Sequence, residues 1–331
     1  MINALKRNRF IWLLNLSLLF SGIAACELKE NGKKQITNDS DKQTDFSYDL
    51  KNPDAIYRLP KSLGEISGIS YLEKDKIACI QDEKAIIYVF DLNKAKVISE
   101  HHFGKDGDFE DIAIVNNDAF ALRSDGTLFK VENFLKKGKK TIKIKTSLSQ
   151  KNDTEGLVYD QKTNSLYIAC KASPSMNKEN IYKGFKAIYR FDLKTKALIE
   201  KPVFLIDLSS VDNQKYSGVA SKFFTETAIK LKLSDGSSFY PSGIAIHPLF
   251  TENIFVISNN GKVLIVMNKL GDIIEIHKLD KLLFAQPEGI SFSENGDLFI
   301  SNEGKNGTAT LLKFKANQSN RIKPKVDNEK N

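Results

Sequence analysis

Carboxylates recur along this chain in a fixed local setting. The phrases that carry them read Ser67-Gly68-Ile69, Glu110-Asp111-Ile112, Glu155-Gly156-Leu157, Ser242-Gly243-Ile244 and Glu288-Gly289-Ile290. Two residues upstream of each stand Glu65, Asp108, Asp153, Tyr240 and Gln286. If the phrases converge in space, Glu65, Asp108, Glu110, Asp153, Glu155 and Glu288 form an oxygen-rich cluster. Such carboxylates repel one another unless a cation or a proton intervenes. All-oxygen donors suit a hard ion, so Ca²⁺ is the expected cofactor and Mg²⁺ the less suitable one. The competing expectation is architectural: each acid accepts backbone N–H bonds from the neighbouring repeat and pegs it in place.

The spacing says which elements position these residues. From one phrase to the next the steps run 67 to 110 (43), 110 to 155 (45), 155 to 242 (87) and 242 to 288 (46). A period near 45 with short apolar runs after each phrase is the signature of an all-β fold, the β-propeller, one four-stranded blade per repeat. Each phrase opens a strand such as Ile112-Ala113-Ile114-Val115. A polar turn such as Asn116-Asn117-Asp118 follows, then a more apolar strand such as Phe120-Ala121-Leu122. The returning strand ends beside the phrase that opened the first. Asp82, Arg123, Lys171, Asn259, Asn302 and Glu303 therefore join the acids as candidate ligand-binding residues at one mouth of the central channel.

The long step of 87 spans two periods or one insertion, so five blades are expected, with six as the alternative. The 209–238 segment reads as a partly helical rim insertion, opening on Ser209-Ser210-Val211-Asp212 like a helix cap. The last repeat stops after its third strand. The run Ala55 to Leu59 can supply the missing outer strand, so that the two chain ends close the ring.

Lys6, Arg7 and Arg9 precede an apolar run from Phe10 to Ala25, too short for a comfortable membrane span. It ends Ile23-Ala24-Ala25-Cys26, which resembles the lipobox of bacterial lipoproteins. The organisation that follows is a lipoprotein signal peptide over 1–25 and a polar linker over 26–45 attached to the membrane through lipidated Cys26. The propeller then covers 46–316 and a disordered tail 317–331. Localisation in the cell envelope, at the outer membrane, is the expectation.

The net charge of +8 comes mostly from dispersed lysines, since only six of the 49 basic residues are arginine. Neither a basic stripe nor interleaved aromatics appear, which argues against nucleic acid as a partner. Cys79 and Cys170 lie in apolar runs and read as buried thiols. No CxxC, HxH or G-x-S-x-G motif occurs, and His247 falls at the far end of its strand from the acids.

Taken in order, Glu65-Ile66-Ser67-Gly68-Ile69, Phe109-Glu110-Asp111-Ile112, Thr154-Glu155-Gly156-Leu157, Tyr240-Pro241-Ser242-Gly243-Ile244-Ala245 and Gln286-Pro287-Glu288-Gly289-Ile290 resemble the SdiA-regulated, YjiK-like propeller family. The resemblance spans about residues 50 to 316. It implies a bacterial envelope protein, more distantly similar to phytase-like and lactonase propellers that hold divalent ions at the channel. That lends a metal role to Glu110, Glu155 and Glu288. The ordered ligand set of the lactonases does not map onto this chain, so no catalytic residue is inherited. The expected function is a lipid-anchored, monomeric propeller binding a divalent cation and a small ligand or protein partner at its acidic mouth. The alternative is a metal-dependent esterase or phosphatase-like hydrolase with Glu155 or Glu110 as base.

Overall fold

The protein was analysed as a computed structural model, which describes residues 48–176, 181–214, 239–304 and 307–316. The expected signal peptide over 1–25, Cys26, the expected 26–45 linker and 317–331 tail, and most of the 209–238 segment lie outside the described residues.

Each repeat folds into one antiparallel sheet whose order follows the sequence. The first blade is β2 (Ile66–Leu72), β3 (Lys76–Gln81), β4 (Ile86–Asp91) and β5 (Lys96–His102). The second is β6 (Phe109–Val115), β7 (Asp118–Arg123), β8 (Leu128–Glu132) and β9 (Lys140–Ile144). The third has β10 (Thr154–Asp160), β11 (Ser165–Cys170) and β12 (Phe185–Asp192); two short strands, β13 (Ala197–Leu198) and β14 (Phe204–Asp207), share the outer edge of β12. The fourth is β15 (Pro241–Ile246), β16 (Asn253–Ser258), β17 (Val263–Asn268) and β18 (Ile273–Lys278).

The fifth blade closes the ring as expected. Its order is β1-β21-β20-β19, where β19 is Pro287–Phe292, β20 Leu298–Asn302, β21 Thr310–Phe314 and β1 the N-terminal strand Ala55–Arg58. Ala55 pairs with Lys313 and Arg58 with Thr310, so the first strand covers the edge that the last would expose. The inner strands β2, β6, β10, β15 and β19 contact one another in turn, and β19 returns to β2. Because β10 packs directly on β15, the alternative of a sixth blade between them is overturned.

Local chemistry explains the hairpins. Lys74 and Asp75 both take positive φ in the β2–β3 turn, the primed geometry that matches strand twist. Asn116, Asn164 and Gly296 take positive φ in the corresponding turns of the second, third and fifth blades. The middle strands are buried on both faces; β11 and β20 have no exposed residue. One apolar cluster fills each seam. Phe109, Ile112 and Phe129 meet Ile80 and Val89 between the first two blades, and Phe299 and Leu311 meet Cys79 and Phe90 between the fifth and first. Each such side chain contributes about 1.5–3 kcal/mol by leaving water.

Strand β9 is one that the sequence patterning missed, because it lies in the lysine cluster. Its Lys143 ammonium lies 5.7 Å from the centre of the Phe129 ring, its stem covering apolar surface. A helix α1 (Leu208–Gln214) opens the insertion, but its cap is Asp207: the Ser209 N–H donates to Asp207 Oδ1 at 2.9 Å. The helix thus starts ahead of the Ser209-Ser210-Val211-Asp212 run. Cys79 and Cys170 are free and buried.

Candidate functional site

The recurring phrase is a β-bulge. Phe109 pairs with Arg123 and Asp111 with Leu122, which leaves Glu110 as the extra residue. Thr154 pairs with Cys170 and Gly156 with Ala169, leaving Glu155; Pro241 and Gly243 flank Ser242 in the same way. The register also shifts between Ile66 and Ile69 and between Pro287 and Ile290. A bulge bends the strand and re-aims the unpaired side chain. At the tightest point of the ring, this turns Glu110, Glu155 and Ser242 out of the pleat. Beneath them a narrow channel of about 140 Å³ runs between the inner strands, lined by Ile69, Ile112, Leu157, Ile244 and Ile290.

The second phrase residue does the tying. Asp111 Oδ2 accepts the Leu157 N–H at 2.7 Å, joining the second blade to the third, and its Oδ1 accepts the Ile112 N–H at 2.8 Å. Gly68 leaves the space this aspartate occupies, since a Cβ there would land on Asp111. Serines staple two further seams. Ser242 Oγ donates to Pro287 O at 2.8 Å, and Ser301 Oγ donates to Ser67 O at 3.0 Å. A Cβ on Gly289 would come within 2.6 Å of that same Ser67 O. The pegging role expected of the glutamates therefore belongs to Asp111, Ser242 and Ser301. Among the described residues no backbone N–H donates to Glu110, Glu155 or Glu288.

The glutamates are left with side-chain partners or none. Glu155, 5 % exposed, accepts Lys171 Nζ at 2.5 Å. Glu288 accepts Asn259 Nδ2 at 2.5 Å, and Lys262 Nζ in turn holds Asn259 Oδ1 at 2.5 Å. Glu110 makes no hydrogen bond among the described residues. Burial, then Glu155, Asp108 and Asp153, hold the Glu110 carboxyl far above the usual carboxylate range. Burial also raises Glu155, with Lys171 opposing. Glu288 is pushed up to about 8 by burial and by the charges of Glu155 and Glu303. Burial disfavours the charged form of Lys171, but Glu155, Asp153 and Glu110 outweigh it and raise its pKa.

The expected rim resolves into two groups linked through Glu303, which acts on both Glu288 and Asp82. One comprises Glu110, Glu155, Glu288, Asp108, Asp153 and Lys171, which act on one another electrostatically. The other centres on Asp82, which is lifted to about 6 by burial and by Glu65, Glu83 and Glu303. Glu303 also accepts Gln286 Nε2 at 2.7 Å. Two expected ligand residues point their hydrogen bonds elsewhere. Arg123 is clamped to Asp125 at 3.0 and 2.5 Å, and Asn302 donates to Leu283 O and Thr310 Oγ1 on the outer side of its blade.

Two further cations were missed in the sequence. Lys186 is 7 % exposed, donates to Lys171 O at 2.6 Å, and lies 4.0 Å over the Tyr240 ring; burial lowers it to about 8. Lys262 holds Asn259 beside Glu288. Lys186 lies at the start of a third strand and Lys262 immediately before one, at the end where the second strand finished. The hairpin logic that located Lys171 would have found them had it been carried one strand further. The positive provision of the mouth is thus greater than Arg123 and Lys171 alone.

The donor chemistry fits a hard cation, since carboxylate and amide oxygens dominate. The spacing does not close on one ion: among the described residues no three His, Cys, Asp or Glu side chains are grouped to hold a metal.

The family profile described as SdiA-regulated matches residues 55–235. No curated protein matches the sequence. Among solved structures, the glutaminyl cyclase of Myxococcus xanthus is 10% identical over 80% of this chain and 95% of its own, with a TM-score of 0.50. A streptogramin B lyase is 11% identical over 79% and 97%, at 0.45. A protein of unknown function from Bacteroides thetaiotaomicron is 14% identical over 72% and 52%, at 0.42. At such identities the likeness concerns the fold.

Proposed function

Because the chain belongs to the SdiA-regulated family and crowds half-buried and buried carboxylates at one mouth, we propose that it is a cell-envelope binding protein. Cys26 anchors it by lipidation, at the outer membrane, and the mouth takes up a divalent cation, Ca²⁺ first, together with a small ligand or protein partner. The observation that carries this reading is Glu110. It is a half-buried carboxyl without a hydrogen-bond partner among the described residues, raised by desolvation and by three neighbouring acids. A cation is the ligand chemistry that relieves such a group most directly. Glu110, Glu155 and Glu288 would have to draw together on binding to hold it, since they are not grouped for one ion as they stand, and the ion would supply positive charge to a partner's oxygen atoms.

The test is melting of the protein with Ca²⁺, Mg²⁺ or neither, near pH 7.5. An ion at a hundredfold over its Kd stabilises by about 2.7 kcal/mol. Glu110→Gln and Glu288→Gln should each weaken that response at least tenfold. No response to either ion at millimolar concentration defeats cation binding. Loss of acyl-chain labelling in Cys26→Ala checks the anchor separately. The hydrolase reading draws on Glu155 beside Lys171, an acid raised towards neutrality next to a cation. Turnover of generic phosphate or acetate esters, lost in Glu155→Gln, would favour it over binding alone.

A further inference from the structure

At the face opposite the acidic mouth, a buried clasp holds the described start of the chain against the core. His247 follows β15 at its far end and is 3 % exposed. Its ring is packed by Phe250, Phe255 and Phe292, with ring centres 4.9, 6.0 and 4.9 Å away, and by Tyr48 at 6.4 Å. The backbone N–H groups of Leu249 and Phe250 both donate to Nδ1, at 3.1 and 3.0 Å. Nδ1 must therefore be the bare nitrogen and Nε2 the protonated one. Nε2–H then donates to Tyr48 Oη at 2.9 Å, and the Tyr48 hydroxyl donates to Gly296 O at 2.6 Å. Tyr48 thus bridges the fourth blade and the fifth through one oxygen.

This arrangement tolerates one protonation state. A proton on Nδ1 would face two N–H donors that have no other acceptor in the clasp, and an imidazolium would sit among aromatic rings. We propose that the Tyr48–His247 pair is an acid-released clasp that holds residues 48–53 across the seam between the fourth and fifth blades. The segment past the clasp is secured independently, because Asp54 N–H donates to Lys313 O at 2.8 Å and β1 pairs with β21. Release is therefore local. It also has a consequence for the surface: Tyr48, Asp49, Leu50 and Lys51 form one wall of a groove of about 1260 Å³, the other wall being Ile276 to Leu283. Opening the clasp frees that wall.

His247 is the basic group inside the clasp, and the other charged groups stand around it. Burial is the sole cause that lowers it, to about 4. Phe255 of β16 and Phe292 of β19 bring no charge. From the turn after β19, Asp297 acts on Tyr48 and is itself bound to Lys313 at 3.0 Å. From the loop after β15, Glu252 turns to Lys162 at 2.7 Å. Within the segment, Asn52 and the Lys51 N–H hold Asp49 below the usual carboxylate range. The opposite groove wall carries Asp280, Lys278, Lys281 and a second imidazole, His277, bound to Glu275 at 2.7 Å.

Hydrogen exchange read by mass spectrometry on the full chain, corrected for intrinsic rates, tests this between pH 7.5 and 4. The opening of residues 48–53 should rise at least tenfold as the pH falls, while Phe109–Val115 stays protected. Tyr48→Phe should raise the opening at neutral pH, and His247→Asn should abolish its pH dependence. Asp49→Asn, Asp297→Asn and His277→Asn should retain it. The proposal is overturned if His247→Asn keeps the wild-type pH dependence, if Tyr48→Phe matches wild type, or if Phe109–Val115 opens at the same pH as the segment.

Discussion

Replacing Glu288 by glutamine should stabilise this protein, and more so as the solution becomes more alkaline. Glu288 has an ordinary pKa of 4.5 when exposed and about 8 in the fold, because burial and then Glu155 disfavour its charge. The folded state therefore binds a proton that the unfolded state has lost. Stability from this group is fully present below pH 4.5 and is lost as the pH rises through 8. At about 1.4 kcal/mol per decade, the loss amounts to about 3 kcal/mol at pH 7 and about 5 kcal/mol at pH 9. Glutamine carries no charge to desolvate, and its side-chain oxygen can still accept the Asn259 donor. Urea unfolding of wild type and Glu288→Gln at pH 7 and pH 9 is the assay. The variant should be more stable at both, by a margin that widens by about 1.4 kcal/mol between them. The difference between the two proteins matters, not the wild-type profile alone. Lys186, lowered to about 8 by burial, pushes the other way in the same window, since an unfolded lysine stays protonated there. His247 adds nothing above pH 7, being neutral in both states. A margin that does not change with pH, or a variant less stable at both, would refute the assignment of Glu288 as a strained acid.

Two other outcomes follow from the axis and the seams. Asp111→Ala should destabilise by about 1–3 kcal/mol, because it leaves the buried Leu157 N–H without its acceptor. Asp111→Asn should cost much less, since its amide oxygen can accept the same bond; chemical denaturation distinguishes them. Cys79 and Cys170 should resist thiol reagents in the native protein and react only after unfolding. Burial pushes Cys170 up to about 12 and Cys79 higher still. Mapping of alkylated peptides checks this, and native labelling of either would contradict their placement.

The period near 45 and the alternation of apolar strand with Asn, Asp and Gly turn made the blades legible. Both are local properties: a strand buried on both faces must be apolar throughout, and a tight hairpin must place a tolerant residue at positive φ. Closure by β1 was legible too, because a last repeat lacking its fourth strand has an edge to cover. The sequence alone also located one acidic mouth, since a returning strand ends where its partner began. It did not reveal what each acid does there. Glu110 and Asp111 are neighbours of like charge, yet one is turned into the mouth and the other staples a seam. That division comes from the bulge, a register fault visible only once two strands are paired. The number of blades depended on whether β10 meets β15, a contact between residues far apart in the chain. Lys186 beside Lys171, and Tyr48 bridging His247 and Gly296, are likewise products of ring closure. The sequence by itself determined the strands and the end of the ring to which the carboxylates belong. Only the tertiary structure decided which carboxylates stay unpaired and strained, because desolvation and repulsion depend on distances that no linear spacing contains.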